Sequence, residues 1–264
     1  MCIRDRLHPY LSTNADENTA SIAAQALLDA QGGEIGVVMQ VHKGIPLQSG
    51  MGSSAASAVA AVVAVNALLD RPLPEGALLP FALEGEKYAS GGLHADNVAP
   101  SLLGGLVLCP QVLLPQVVRL PVPDGVSAVL LHPDLQVNTA QARRGLARSI
   151  KTGQWLEQQG LLAGFIAACA ANDKKLIAKT LRDVVIEPQR AAAVPCFDAV
   201  TEAAMRGGSL GCGLSGSGPS LFALCASNDA RNIASAMEHA CRAQGIDCQS
   251  WVSPMTAPGA HIED

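Results

Sequence analysis

The sequence predicts an α+β protein of two domains, and three observations carry that prediction. Segments with helical spacing and short strand-like segments both occur along the chain. Of 264 residues, 49% are hydrophobic but only 3% aromatic; this Ala-, Val- and Leu-rich content suits helices packed closely on a sheet. The stretch Pro121-Val122-Pro123-Asp124-Gly125 reads as a linker, and a chain of this length can form two modest domains.

Asn18 to Ala30 has apolar residues at helical spacing and ends at Gly32-Gly33, while Gly36 to His42 reads as a half-buried strand stopped by Pro46. A glycine- and serine-rich loop, Gln48 to Ser54, runs straight into an Ala/Val helix, Ala55 to Leu69. A further helix covers Gly76 to Ala89, Ser90-Gly91-Gly92 breaks it, and the polar cluster His94 to Pro100 is expected as a loop. Gly105 to Cys109 and Val117 to Leu120 are strand candidates before the linker. After it, Val126 to Leu131 reads as a strand, and Thr139–Ile150, Leu156–Ala171, Lys174–Val185 and Phe197–Arg206 read as helices. A glycine cluster, Gly211 to Pro219, leads into strand Ser220–Cys225, followed by helix Ala230–Gln244 and a last strand at Gln249–Ser253.

Composition excludes several functions. A net charge of −5 has the wrong sign for a nucleic-acid footprint, so a bound phosphate must be held locally. The 8 cysteines form no Cys-x-x-Cys pair, which argues against zinc and redox motifs and for a reducing, cytoplasmic setting. Ala55 to Leu69 falls short of the roughly 18 apolar residues that span a bilayer, and Met1 to Arg6 lacks the apolar run of a signal peptide. Residues 1–6 are expected to be a non-native leader outside the fold.

The loop Pro46-Leu47-Gln48-Ser49-Gly50-Met51-Gly52-Ser53-Ser54-Ala55-Ala56 carries the strongest chemical signal. Its glycines let backbone N–H groups approach an anion, and the helix that follows aims its positive end at the same place. It lacks the Gly-Lys-Ser/Thr ending of a Walker A loop and the third glycine of a dinucleotide fingerprint, so residue chemistry alone leaves a phosphate cradle or an ordinary N-cap. Gly211-Cys212-Gly213-Leu214-Ser215-Gly216-Ser217-Gly218-Pro219-Ser220 reads alone as a tight turn; it does not contain the Gly-x-Ser-x-Gly of a hydrolase elbow.

Together these two segments resemble the paired glycine motifs of the superfamily named for galactokinase, homoserine kinase, mevalonate kinase and phosphomevalonate kinase. His94-Ala95-Asp96-Asn97-Val98-Ala99-Pro100, Asn138-Thr139-Ala140-Gln141-Ala142-Arg143 and Glu187-Pro188-Gln189-Arg190 narrow the resemblance to its homoserine kinase branch. That resemblance implies phosphorylation of the L-homoserine hydroxyl by ATP with Mg2+, within threonine biosynthesis. It implies nucleotide binding by residues 46–56 with Gly216, Ser217 and Gly218, and magnesium on Ser54 and Glu86. Glu86 lies eight residues before His94, and Glu84 is its competitor. His94, Asn97, Thr139, Arg143 and Arg190 are implied for the substrate, with Ser54, Glu86, Asn97 and Arg143 in catalysis and Asp96 structural. A planar guanidinium suits bidentate capture of the substrate's α-carboxylate.

The implied architecture is an N-terminal ATP-binding domain like ribosomal protein S5 domain 2, residues 7–122, and a ferredoxin-like C-terminal domain, residues 123–264. The family's opening motif, Pro-x-Ser-x-Asn-x-Gly-x-Gly-Phe-Asp, is absent, so the N-terminal domain is expected to be truncated. The implied partner is a small-molecule substrate, with no nucleic acid and no membrane, and a homodimer is left open. A mevalonate-type kinase and a non-catalytic nucleotide-binding fragment are the alternative readings.

Overall fold

The computed structural model describes residues 2–4, 11–32, 35–135, 146–147 and 149–263. Two compact units emerge: Met1–Leu47, Gly52–Arg119 and Ala257–Asp264 form unit 1, and Gln48–Met51 with Leu120–Thr256 form unit 2. This division departs from one cut at 122/123: the boundary falls at 119/120, and two segments cross it. Residues 48–51 join the second unit, and the tail returns to the first, where Gly105 N donates to Ala257 O at 3.1 Å and Ala260 N to Ser101 O at 2.9 Å.

Among the described residues, unit 1 is a helical core with two small sheets. Asn18 starts α1 (Thr19–Ala30) by accepting from Ala20 N at 3.0 Å, and Ala20, Ala23, Ala24, Leu27 and Leu28 face inward. Against it lie α2 (Ser53–Ala67) and α3 (Leu79–Ser90), and Gly85 of α3 abuts the Thr19 carbonyl, where any side chain would collide. The apolar residues of these helices are mostly Ala and Val, so their axes approach closely with little side-chain entropy lost. A short strand, β1 (Cys2–Arg4), pairs in parallel with β2 (Val38–Gln40). Cys2–Arg4 thus take part in a ladder, since such pairing uses main-chain groups and needs no apolar pattern.

The expected loop at His94 to Pro100 is also corrected. It is α4 (Ala95–Leu103), with Pro100 inside it and Ala95, Val98, Ala99 and Leu102 buried. Those positions follow the i, i+3, i+4, i+7 spacing of a core-facing helix, and their burial outweighs the hydrogen bond that Pro100 removes. Strands β3 (Leu106–Leu108) and β4 (Val118–Leu120) pair with each other.

Unit 2 is built on one four-stranded antiparallel sheet of β5 (Val126–Pro133), β6 (Gly211–Leu214), β7 (Leu221–Ala226) and β8 (Cys248–Pro254), in the order β6-β7-β5-β8. Its helices are α5 (Thr152–Ala170), α6 (Lys174–Thr180), α7 (Glu187–Ala191), α8 (Phe197–Arg206) and α9 (Ala230–Ala243). With α8 before β6 and α9 between β7 and β8, the connectivity is the split β-α-β-β-α-β arrangement of ferredoxin-like folds. The core joins Val129 and Leu131 of β5 to Val200 and Ala204 of α8 and Ile233 and Met237 of α9. Cys196, Cys225, Cys241 and Cys248 are buried, and desolvation raises each of their thiol pKa values, in keeping with small core hydrophobes.

The helix expected over Lys174–Val185 stops at Thr180. Beyond it the Asp183 carboxylate accepts from Val185 N, Ile186 N and Glu187 N at 2.7, 2.8 and 3.2 Å, drawing the chain into the start of α7 instead. Most of Thr139–Ile150 lies outside the described residues, and residues 146, 147, 149 and 150 are not helical.

Candidate active site

In unit 1 the loop delivers the chain into α2 through Gly52, whose φ of 72° is left-handed and which brings no capping side chain. The first N–H groups of any helix lack intrahelical partners, and without a capping side chain they stay available to an anion. Ser53 Oγ turns away to donate to Ile45 O at 2.8 Å, whereas Ser54 Oγ donates to Glu86 Oε2 at 2.9 Å. Glu86 is only 7% exposed, so α3 holds a carboxylate out of water against the first turn of α2. Glu84 is exposed and pairs with Lys87 at 3.5 Å. Lys43 is a residue that sequence reading passed over. Its ammonium donates to Ser53 O at 2.7 Å and to Ser57 Oγ, adding positive charge at the same helix start. Its only sequence signal was its place three residues before Pro46.

Asn97, on α4, lies over Gly52: a Cβ at that glycine would be 2.8 Å from Asn97 Oδ1. Gly52→Ala is therefore expected to destabilise the protein by about 1–2 kcal/mol from the left-handed backbone alone, with more from displacing Asn97. Urea denaturation should show this as a lower midpoint, and an unchanged midpoint contradicts it. His94 stands at the N-cap position of α4, partly buried, and Asp96 is exposed in its first turn.

In unit 2 the segment Gln48–Met51 packs on the second glycine motif. Ser220 N donates to Ser49 O at 3.2 Å, Ser215 Oγ donates to Gly50 O at 3.0 Å, and Ser49 is buried. Gly50 has a φ of 78°, and a side chain there would strike the Ser215 and Gly218 carbonyls. Only glycine fits. His132 Nδ1 lies 3.0 Å from Ser220 Oγ, and desolvation lowers the pKa of its ring against the opposing pull of Asp134.

Arg190, on α7, donates from Nη1 to Gly216 O at 2.9 Å. Beside it, a 210 Å³ cavity is lined by Glu187, Arg190, Leu214 and Gly216 together with apolar Leu162 and Phe165. Glu187 Oε2 accepts from Leu214 N at 2.7 Å; desolvation raises its carboxyl pKa, partly offset by that hydrogen bond. Burial and the Glu187 charge together push the Cys212 thiol up to about 12. Thr139 and Arg143 lie outside the described residues. No group of three or more His, Cys, Asp or Glu side chains that could hold a metal occurs among the described residues.

Comparison with known proteins aligns with this geometry. Residues 18–105 match the family model described as GHMP kinases N terminal domain, and residues 165–243 match GHMP kinases C terminal. A homoserine kinase of Xylella fastidiosa (strain M12) is 41% identical over 253 residues, covering 96% of this chain and 78% of its own length. One from Chlorobium phaeobacteroides (strain BS1) is 39% identical over 261 residues, covering 96% and 82%. The crystal structure of homoserine kinase from Cytophaga hutchinsonii ATCC 33406 superposes with a TM-score of 0.91 at 42% identity, covering 96% of this chain and 81% of that one.

Proposed function

Because the chain belongs to the homoserine kinases of the GHMP kinase family, we propose that it transfers the γ-phosphoryl group of ATP to the side-chain hydroxyl of L-homoserine, giving O-phospho-L-homoserine. The observation that carries the chemistry is the Ser54–Glu86 pair at the head of α2. Phosphoryl transfer demands mainly positioning and compensation of phosphate charge, and this is where the chain concentrates the groups for it.

The loop and α2 supply backbone N–H groups to the phosphates, and Lys43 adds a cation beside them. Ser54 and Glu86 are hard oxygen donors, one of them a buried carboxylate, and they fit Mg2+. When bound, that ion offsets charge on the nucleotide phosphate oxygens. Arg190 offers its fork to the α-carboxylate, and Arg143, Thr139, His94 and Asn97 are assigned as further substrate contacts. The substrate oxygen bonds to phosphorus as the β–γ bridging P–O bond breaks, its electron pair leaves on ADP, and the hydroxyl proton passes to solvent. No side chain is assigned as base; Asp96, exposed at the start of α4, is left structural. No helix among the described residues is long and apolar enough to cross a membrane, and the cytoplasm is the proposed compartment.

Steady-state kinetics with ATP and Mg2+ on L-homoserine and on mevalonate test this reading. We expect kcat/KM to favour homoserine by at least about a hundredfold, since mevalonate can offer Arg190 a carboxylate but carries its primary hydroxyl one carbon further from it and has no ammonium. A preference for mevalonate overturns it.

A further inference from the structure

The family resemblance assigns Arg190 but leaves Glu187, one helical turn before it, without a task. Among the described residues, strand β6 is an edge strand of its sheet. Antiparallel pairing turns alternate N–H groups toward the partner, and Ser215 N donates to Ser220 O, on the β7 side. The preceding Leu214 N therefore points outward, where no strand can satisfy it. Glu187 Oε2 fills that place at 2.7 Å. It also lies where a side chain at residue 213 would be, so only glycine at 213 admits it. Two residues further along the same segment, the Gly216 carbonyl accepts from Arg190 at 2.9 Å. Helix α7 thus grips the glycine segment twice, by a carboxylate at Leu214 and a guanidinium at Gly216. Asp183 in turn fixes the entry to α7 by accepting from the N–H groups of Val185, Ile186 and Glu187.

We propose that Glu187 is a positioning residue: by accepting from Leu214 N at the open edge of β6, it fixes the course of Gly213–Gly216 and so the direction of the Arg190 guanidinium. The proposal rests on the homoserine kinase reading for the role of Arg190, and on geometry alone for the grip. What the grip needs is an acceptor at the right reach. Glu187→Gln retains a carbonyl oxygen at that position, whereas Glu187→Asp keeps the charge but ends roughly 1.5 Å short.

The test is to compare these two variants and Glu187→Ala with the unaltered protein by two readouts. In steady-state kinetics, Asp and Ala should raise the KM for homoserine at least about tenfold, as misplacement of a positioning group does, while Gln stays within about twofold and the KM for ATP moves little in any variant. In hydrogen exchange, the Gly211–Gly218 segment should lose protection in Asp and Ala but keep it in Gln. Should Ala not fold, the Asp-against-Gln contrast decides the matter. Gln behaving like Asp, or protection unchanged in Asp, overturns the proposal. Unaltered protein that ignores homoserine while the exchange pattern holds would sink the substrate reading and leave the Glu187 grip standing.

Discussion

Glu86→Gln is expected to lower kcat by about a hundredfold or more while the melting temperature moves by only a few degrees. Glutamine has the volume of glutamate and can still accept from Ser54, so the packing of α3 on α2 should survive. What it lacks is the negative charge that makes this oxygen a ligand for a hard cation facing phosphate. Losing one preorganised electrostatic contact to developing charge costs on the order of a hundred- to a thousandfold in kcat. Ser54→Ala should act in the same direction, because it removes the hydroxyl that the same carboxylate orients. Kinetics over a magnesium titration check both, with the apparent metal requirement rising in Glu86→Gln. Turnover unchanged in Glu86→Gln would remove Glu86 from the reaction and return the metal role to Glu84 or elsewhere.

Arg190→Ala should cut kcat/KM for homoserine at least thirtyfold and leave the KM for ATP nearly unchanged. A charge-assisted pair lost at a desolvated site costs on the order of 2 to 5 kcal/mol, because a carboxylate is left without its partner. The guanidinium bonds the Gly216 carbonyl through Nη1, a hold that keeps its plane fixed rather than sweeping through solvent. Lysine at 190 should rescue only part of the loss, since a point charge cannot make a fork. The carboxamide of homoserine is the matching probe. The unaltered enzyme should discriminate strongly against it and Arg190→Ala should not; equal use of acid and amide by the unaltered enzyme would overturn the assignment.

Motifs that depend on local backbone chemistry were legible in the sequence. The loop at 46–56 and the helix after it were read from glycines and serines, and α8 came out with its observed bounds because its apolar positions follow one clean helical period. Elements decided by tertiary partners were not. Gly211–Leu214 has the composition of a turn, yet it is strand β6, because its register is set by β7. Pro100 hid α4, whose four buried residues outweigh one lost hydrogen bond. Asp183 ended a helix that periodicity alone would have continued. At the site, the Ser54–Glu86 pairing was expected, and its geometry excludes Glu84 from the same contact. Lys43 escaped notice and Glu187 was given no role because they work through backbone partners 10 and 27 residues away, which no local spacing announces.

The return of residues 257–264 to unit 1 bears on how this protein is made and how it can be recombined. Ribosomal synthesis runs from the N-terminus, so the helices of unit 1 emerge first but wait until unit 2 has been made before Ala257 and Ala260 reach Gly105 and Ser101. Unit 2 can close in the meantime, and these contacts of unit 1 form after it. A gene chimera joined at the linker would likewise inherit its tail, and residues 48–51, from the wrong parent. Exchange between homologues at this junction is therefore penalised unless the distant segments travel together.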